Sequence, residues 1–277
     1  MNNSIVGYQA KDTPIHRLNA LAKLIFFILV SLALMLTYDT RLLLGVSLFL
    51  MGGLYLADIK WRDVAFFIKI VAVFSVINLV MVYIFSPEYG VDLYGSRTII
   101  WEGIGPYTLT WEQLFYQINL VLKYFSTIPL VLLFLMTVNP SEVASSLNRI
   151  GLSYRLSYAV SLTLRYIPDI QRDYIAIRDS QRARGQGRKD QAGLMDKAKV
   201  ATKTIMPLIM TSFAQIETVS HAMMLRRFGG KHKRTWYVAK PLKSKDYLLI
   251  LAGLLVFLLF VYFYYVNQGR FYNPFRG

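Results

Sequence analysis

Five stretches of the chain consist almost entirely of apolar residues, and they predict helices that cross a membrane. A helix needs about twenty apolar residues to cross a bilayer, so the longer stretches span it alone and the first two need flanking residues. The pattern predicts an all-α integral membrane protein with about five transmembrane helices, the first two joined in a tight hairpin through Asp39, Thr40 and Arg41. The stretches lie at about residues 24–38, 42–57, 64–86, 113–138 and 247–266.

The basic residues between these stretches predict the orientation of the helices. Loops on the cytoplasmic side of a membrane carry an excess of Lys and Arg. Such residues precede the first stretch and separate the second from the third, whereas the loop at 86–112 has four acidic residues and Arg97 alone. We therefore expect a multi-pass protein of the cell membrane with its N-terminus in the cytoplasm and its C-terminus outside. The cytoplasmic basic residues are Lys11, Arg17, Lys23, Lys60 and Arg62.

Composition agrees with a membrane location and shows where the charge lies. Of the 277 residues, 55% are hydrophobic and 17% are charged, and the formal net charge is +15. Residues 139–245 contain twenty Lys and Arg against seven Asp and Glu, a net charge of +13 in one polar stretch. No nucleic-acid-binding module accompanies this charge. We therefore expect a cytoplasmic region that is attracted to the anionic inner leaflet of the lipid bilayer, and no nucleic-acid partner.

The basic stretch opens with Asn139, Pro140 and Glu142, a pattern typical of a helix start. A short helix is predicted from there to Gly151. The chain then has three regions along its length. They are an N-terminal membrane region at 1–138 with four transmembrane helices, a cytoplasmic region at 139–245, and a C-terminal transmembrane helix and tail at 246–277.

Two long amphipathic helices follow the short one, each of roughly thirty residues and about 45 Å. Their apolar residues recur at steps of three and four, which places them on one face of a helix. Each helix contains one proline, Pro168 or Pro207, that should bend it. Both are too charged to cross the bilayer, so we expect them to lie along or beneath it and to pack on each other and on nearby apolar surfaces. The predicted face of the second long helix is Leu194, Ala198, Ala201, Ile205, Leu208, Ile216, Val219 and Met223.

The two long helices end alike, each with an arginine that is soon followed by glycine. An arginine in the last turn compensates the helix dipole, which is one explanation of both ends. The alternative is that each arginine projects from a helix tip and makes a bidentate contact with a carboxylate on a partner protein. The residues alone leave both explanations open. The first tip is Ala183, Arg184 and Gly185, and the second is Leu225, Arg226 and Arg227.

The sequence contains no pattern for catalysis or for cofactor binding. His232 stands after Lys231, where a phosphate-binding loop requires Ser or Thr. The histidines have no ligand spacing, and with no cysteine the chain has no thiolate for a metal site. The interiors of the spans lack Asp and Glu, which an intramembrane enzyme, proton site or metal site requires. We therefore expect no catalytic residue, no cofactor and no metal, and no ATP hydrolysis by this chain.

Four short segments of the chain match known motifs in order and spacing. They are Asp12–Leu18, Thr137–Glu142, Leu164–Pro168 and Gln181–Gly185. Together they resemble the transmembrane T component of energy-coupling factor (ECF) transporters, also called the EcfT or CbiQ-like family, and the resemblance covers nearly the whole chain. The second tip departs from the Ala-Arg-Gly motif of that family, since Leu225 replaces Ala and Arg227 replaces Gly, while Arg226 stays in register.

The resemblance implies a role as scaffold and energy-coupling subunit of an importer for vitamins or metal ions. Family members assemble with two cytoplasmic ABC ATPase subunits and a small membrane substrate-binding S component. The resemblance also implies that both tips insert into the ATPases, with Arg184 and Arg226 paired to acidic residues there. ATP is then bound by the partner subunits, and the long helices transmit their motion to the S component.

A conventional ABC permease subunit with its own substrate pathway is the alternative. It predicts polar residues along several spans and usually a single docking helix. Four polar residues do interrupt the apolar stretches, but nothing of opposite charge is available there to pair with the lysines. We interpret the lysines as reaching the membrane surface and the amides as bonding between helices. These residues are Lys69, Asn78, Asn119 and Lys123.

Overall fold

The computed structural model describes residues 11–103, 107–185, 194–229 and 235–275, and these form nine helices and one small sheet. The strands pair antiparallel, with Ile99 opposite Thr110. The elements are α1 (Ala20–Leu36), α2 (Thr40–Leu56), α3 (Trp61–Phe85), α4 (Tyr89–Tyr94), β1 (Ile99–Trp101), β2 (Leu109–Thr110), α5 (Trp111–Thr137), α6 (Pro140–Ile150), α7 (Tyr154–Ala183), α8 (Leu194–Leu225) and α9 (Ser244–Val266).

The chain divides into two compact units. The membrane unit contains the chain up to Asn139 and from Lys240 onward. The basic unit is Pro140–Ala239. Within the described residues, three helices of the membrane unit are long and apolar enough to cross a membrane, and α1 and α2 are shorter apolar helices. The predicted all-α membrane protein with about five apolar helices is therefore confirmed.

The core of the membrane unit lies around α1, which packs on α9 and on α5, while α2 packs on α5. Val30, Ala33 and Leu43 are fully buried there. At Gly253 of α9 a Cβ atom would lie 3.2 Å from the Cα atom of Phe26 in α1. Small residues at such crossings let helix backbones approach closely in a membrane. Glycine at 253 therefore sets the distance between α1 and α9.

Buried polar side chains close the end of the membrane unit where α1 and α9 begin. The Asn19 side chain accepts a hydrogen bond from the Leu21 N–H and caps α1. The Asn19 N–H donates to the buried Asp246 carboxylate at 2.8 Å. Lys23 Nζ donates to the Thr137 carbonyl at 2.7 Å, which places a positive charge at the C-terminus of α5. These bonds fix the entry of both helices and the exit of α5.

The opposite end of the membrane unit is closed by the turn between α1 and α2 and by the tail that follows α9. Asp39 caps α2, and Arg41 and Asn267 both donate to its carboxylate. Burial opposes ionisation of this carboxyl group, but the hydrogen bonds outweigh it and lower the pKa of Asp39. The tail then runs back over this end, since the Tyr38 N–H donates to the Arg270 carbonyl. The predicted hairpin through Asp39 is confirmed.

The connection between α3 and α5 is more ordered than its sequence indicates. It folds into α4 and the β1–β2 hairpin around Glu112, whose side chain is fully buried. The Glu112 carboxylate accepts hydrogen bonds from Thr98 and Ser96. Gly90 lies against α5, where a Cβ atom would lie 2.6 Å from the Gln113 backbone. Hydropathy does not predict this subdomain because a few polar bonds, rather than an apolar repeat, hold it together.

The basic unit consists of α6, α7 and α8. The helix start predicted at Pro140 is confirmed, and α6 ends as predicted at Gly151, which has a positive φ of 117°. Pro168 lies inside α7 and Pro207 inside α8. Within the described part of α7, Ser157 is the only buried residue. This unit therefore leaves most of its helix surface open.

The predicted apolar face of α8 is partly buried within the basic unit and partly exposed. Leu208, Val219 and Met223 are half-buried, whereas Ile205 and Ile216 are exposed. The half-buried stripe also includes Ser212 and Gln215, and Gln215 donates to Asp173 of α7 at 3.2 Å. Much of the most apolar face is therefore left exposed by the unit itself. The side chains of the predicted residues Leu194 and Ala198 lie outside the described part of the structure.

Candidate functional site

The first predicted tip is the end of α7. Ala183 is the last helical residue, Arg184 is the capping residue, and Gly185 follows with a positive φ of 79°. The Gly185 N–H donates to the Arg182 carbonyl at 3.0 Å, which closes the helix with a left-handed turn. All three tip residues are exposed. The turn therefore presents Arg184 at the surface where the helix stops.

The nearest acidic side chain on α7 is paired with other arginines and not with Arg184. Asp179 pairs with Arg178 and lies 3.9 Å from Arg182, so its charge is already compensated. Within the described residues, the Arg184 side chain makes no hydrogen bond or ion pair. A guanidinium in that state can make a bidentate contact with an external carboxylate without first breaking a bond inside the chain.

The second predicted tip is the end of α8, and it forms the same kind of turn with different residues. Leu225 is the last helical residue, and Arg226 and Arg227 follow. The Arg227 N–H donates to the Met224 carbonyl at 2.9 Å, and the Phe228 N–H donates to the Met223 carbonyl at 3.0 Å. These two bonds define a Schellman motif with Arg227 at its left-handed position.

The left-handed residue of the second tip is unusual. Arg227 has a φ of 53°, in the region where Gly151 and Gly185 close the other two helices of the basic unit. A side chain at such a φ crowds the backbone, so glycine is the common residue there. Leu225 is 87% exposed beside it. The second tip therefore presents an apolar side chain and two arginines at its surface.

The two tips lie at opposite ends of an antiparallel helix pair. The end of α8 is near the start of α7, since the Phe228 ring lies 4.6 Å from the Tyr158 ring. Gln215 meets Asp173 near the middle of the pair. From Tyr158, which contacts the end of α8, to Arg184 the chain advances about twenty-six residues, or about 40 Å at 1.5 Å per residue. One partner groove cannot hold both arginines, so the geometry suits two separate partners.

An apolar stripe of α8 is exposed between the tips. Phe213 is 62% exposed and Ile216 is 61% exposed, while Ser212 and Gln215 occupy the half-buried positions beside them. Methionines in this stripe can adapt to more than one partner surface. An apolar surface of this extent on a helix marks a protein or membrane contact. The other exposed apolar residues are Ile205, Met206, Ile209, Met210 and Met224.

The polar residues predicted within the apolar stretches bond mainly between helices. Lys123 donates to the Met35 carbonyl at 2.7 Å. Asn119 accepts from Thr40 at 2.6 Å, and Asn78 accepts from Tyr124 at 3.3 Å. Lys69 differs, since it lies exposed on α3. These amides and Lys123 therefore stabilise helix packing and do not line one continuous polar pathway.

A cavity of about 430 Å³ lies between α1, α2 and α5 of the membrane unit. Lys23 and Thr137 are its only polar lining residues, and the Lys23 ammonium already donates to the Thr137 carbonyl. Such a lining offers few groups to bind a polar vitamin or a hydrated ion. Elsewhere, the described residues include no group of three His, Cys, Asp or Glu that could hold a metal ion.

Comparisons with known proteins identify the family. The family model of CbiQ, described as a cobalt transport protein, matches residues 11–237. The chain is 23% identical over 271 residues to the ECF transporter transmembrane protein EcfT of Lactococcus lactis, covering 94% of this chain and 98% of that protein. It is 26% identical over 254 residues to EcfT of Heliobacterium modesticaldum, covering 91% and 94% of the two chains.

A third relative has a different organisation. It is a protein of Bifidobacterium longum described as an ABC transporter ATP-binding protein, 25% identical to this chain over 163 residues. The match covers 56% of this chain but 21% of that protein. The family match and the membrane-spanning helices assign the chain to the membrane subunits of transporters rather than to catalytic enzymes. The chain belongs to the CbiQ family and is a transmembrane T component of an ECF transporter.

Proposed function

We propose that the chain is the scaffold and energy-coupling subunit of an ECF importer for vitamins or metal ions. In this role it binds two cytoplasmic ABC ATPase subunits and transmits their motion to a small membrane S component that binds the substrate. The observation that carries the proposal is the pair of exposed arginine turns about 40 Å apart at opposite ends of α7 and α8. Two separated anchors match two ATPase subunits.

Arg184 and Arg226 are the proposed anchors, each paired with an acidic residue of an ATPase. Ala183 and Gly185 flank the first anchor, and Leu225 and Arg227 flank the second. The relative from Bifidobacterium longum supports this partnership, because a segment similar to this chain occurs there within a protein described as ATP-binding. The chain itself needs no cofactor or metal in this role, and the ATPases bind the ATP.

The exposed stripe of α8 is the proposed contact for the S component. Phe213, Ile216 and their apolar neighbours lie between the two anchors. In this proposal, motion of either ATPase reaches the S component through this surface. A membrane partner of apolar character covers such a stripe better than water does. The apolar lining of the membrane-unit cavity supports the same division of labour, in which another subunit binds the polar substrate.

The proposed orientation places the N-terminus and the basic unit in the cytoplasm and the C-terminus outside. The support is the basic residues near α1 and between α2 and α3, against the acidic connection before α5. The chain has no cysteine, so single-cysteine variants give clean labelling. In intact cells, a membrane-impermeant maleimide should label Gly269→Cys in the tail but not Thr218→Cys on α8. The reverse pattern would overturn the orientation.

A pull-down of the tagged chain from its native membrane in mild detergent tests the assembly. Mass spectrometry should recover ABC ATPase subunits together with a small, very hydrophobic membrane protein. Recovery of ATPases with a soluble substrate-binding protein would favour the conventional permease instead. Recovery without any ATPase would contradict the proposal. The same pull-down with Arg184 and Arg226 both replaced by Glu should lose the ATPases, and Arg172→Glu is the matched control because Arg172 is an exposed arginine of α7 far from its end.

A further inference from the structure

An aromatic cluster holds the second tip against the start of α7. The Phe228 ring lies 4.6 Å from the Tyr158 ring and 6.0 Å from the Tyr154 ring, between ring centroids. The Tyr154 ring in turn lies 5.3 Å from the Trp236 ring. Distances of this size are typical of aromatic pairs that attract each other. We call Tyr154, Tyr158, Phe228 and Trp236 the aromatic clamp.

Two polar bonds fix the clamp to its surroundings. Trp236 Nε1 donates to the Asn148 side-chain oxygen at 3.0 Å, which ties the clamp to α6. Arg155 Nη2 donates to the Gly229 carbonyl at 3.3 Å, one residue beyond the Phe228 ring. Phe228 and Gly229 are therefore held by the start of α7, and Trp236 is held by the end of α6.

The clamp lies next to the residue of the turn that has a disfavoured backbone conformation. Arg227 adopts a left-handed conformation that a side chain disfavours, whereas Gly185 adopts the corresponding conformation in the first tip freely. A disfavoured backbone conformation persists when its surroundings hold it in place. Phe228 directly follows Arg227 and closes the Schellman motif through its own N–H. The clamp therefore holds the turn at the residue where the chain leaves it.

We propose that the aromatic clamp positions Arg226 for docking to an ATPase, and that Phe228 is the residue through which it acts. The inference rests on the proposed function, because it takes Arg226 as a docking residue. It adds that the second anchor depends on packing across two helices, while the first depends on a glycine. Loss of the clamp should therefore impair one docking contact and leave the other intact.

A double-mutant cycle on the reconstituted complex tests this proposal. The full chain in nanodiscs is titrated with its two purified ATPase subunits, and the dissociation constant is measured for each variant. Phe228→Leu should weaken ATPase binding by about tenfold, on the scale of coupling between neighbouring residues. Phe228→Tyr keeps the ring and should stay within about twofold of the unchanged chain. This rescue separates ring stacking from simple apolar volume.

The cycle also separates positioning from a general structural role. In the Arg226→Ala background, Phe228→Leu should add less than about twofold, because the residue it positions is gone. In the Arg184→Ala background it should retain its full effect, because Arg184 lies about 40 Å away. A general loss of folding would weaken binding equally in both backgrounds. Tyr158→Leu, on the other helix, should reproduce the Phe228→Leu pattern.

Each failure has its own meaning. If Arg226→Ala leaves ATPase binding unchanged, the proposed docking role of Arg226 is wrong. If Arg226→Ala weakens binding but Phe228→Leu does not, the clamp proposal alone is wrong. The clamp proposal is also overturned if the effects of Phe228→Leu and Arg226→Ala multiply in full. Thermal unfolding of each variant is followed in parallel, and Tyr158→Leu serves as the second variant if Phe228→Leu fails to fold.

Discussion

Helix α1 of the membrane unit and the two long helices of the basic unit place their apolar residues in opposite ways. In the membrane unit, α1 has nine buried residues, and polar bonds from Asn19, Asp246, Asp39 and Asn267 close both ends. In the basic unit, Ser157 is the only buried residue described for α7, and α8 exposes its most apolar stripe. The membrane unit is thus held by its own interior. The basic unit leaves its most apolar face and both tips exposed.

This difference predicts that the strongest effects on assembly come from the basic unit, without loss of the membrane fold. Replacing Arg184 and Arg226 together by Glu puts two carboxylates where carboxylate partners are expected. ATPase binding should fall by at least about a hundredfold, since truncating one partner of a buried charged pair already costs about 2–5 kcal/mol. Thermal unfolding of the chain should stay unchanged. Normal uptake by this variant would contradict the coupling role.

A charge in the apolar stripe of α8 should separate the two proposed partners. Phe213→Glu introduces a carboxylate where an apolar membrane subunit is expected to pack. Recovery of the S component should fall by about tenfold or more, in line with the loss of a central interface residue. Binding of the ATPases should persist because both tips are unchanged. Thr218→Glu, also exposed on α8, is the control, and an equal loss in both variants would argue against a localised contact.

A substitution in the membrane unit should lower stability and leave ATPase binding unchanged. Asp39→Asn removes a buried carboxylate that caps α2 and accepts hydrogen bonds from Arg41 and Asn267. We expect a loss of about 2 kcal/mol in the free energy of unfolding from the weakened charge-assisted bonds, since asparagine still caps the helix. Thermal denaturation in detergent measures it. At a temperature where the variant stays folded, ATPase binding should be unchanged, and a weakened affinity there would link the two units.

How far the sequence predicts the molecule differs between the two units. Apolar run length predicts the five apolar helices because a bilayer selects on length and composition alone. The turn at Asp39 follows from the short gap between two apolar stretches, and the helix start at Pro140 follows from capping chemistry. The subdomain around Glu112 does not follow, because hydrogen bonds between distant residues define it. The buried side of α8 does not follow either, because Ser212 and Gln215 are half-buried while the more apolar Phe213 and Ile216 are exposed.

The sequence predicted where the two long helices end but not how the two ends are arranged. The arginine and glycine pattern located both helix ends, and the structure places all six predicted tip residues there. Their positions at opposite ends of an antiparallel pair need tertiary contacts such as Phe228 with Tyr158. The clamp was missed as well. The aromatic residues at the start of α7 and after the end of α8 are the signal that could have indicated it.

The two tips differ in the residue that adopts the left-handed conformation, and changing that residue should have a smaller effect than the substitutions above. Arg227→Gly relieves the left-handed side chain and restores the residue type that closes α6 and α7. It should stabilise the end of α8 by up to about 1 kcal/mol. In this variant, hydrogen exchange of the backbone amides at position 227 and at Phe228 should slow by several-fold. Gly185→Ala, the opposite change at the first tip, should speed the exchange of its own amide, and similar behaviour of both variants would contradict the strain at Arg227.

The smallest expected effect is on pH dependence. The pKa of Asp39 is lowered, so its contribution to stability is present above its unfolded pKa of about 3.9 and is lost as the pH falls through the lower folded value. Stability of the membrane unit should therefore decrease on acidification below about pH 4. The decrease should be smaller in Asp39→Asn. Equal pH profiles for the two proteins would show that other carboxyl groups dominate.

Site-specific cross-linking at the tips tests the central claim most directly. A photoreactive amino acid replaces Ala183 or Leu225, the last helical residues of α7 and α8, both of which are exposed. In native membranes, each position should cross-link to an ABC ATPase subunit, whereas the same probe at Met35, in the membrane unit, should not. Absence of ATPase adducts at both tips would show that these arginines merely end their helices, and would contradict the account.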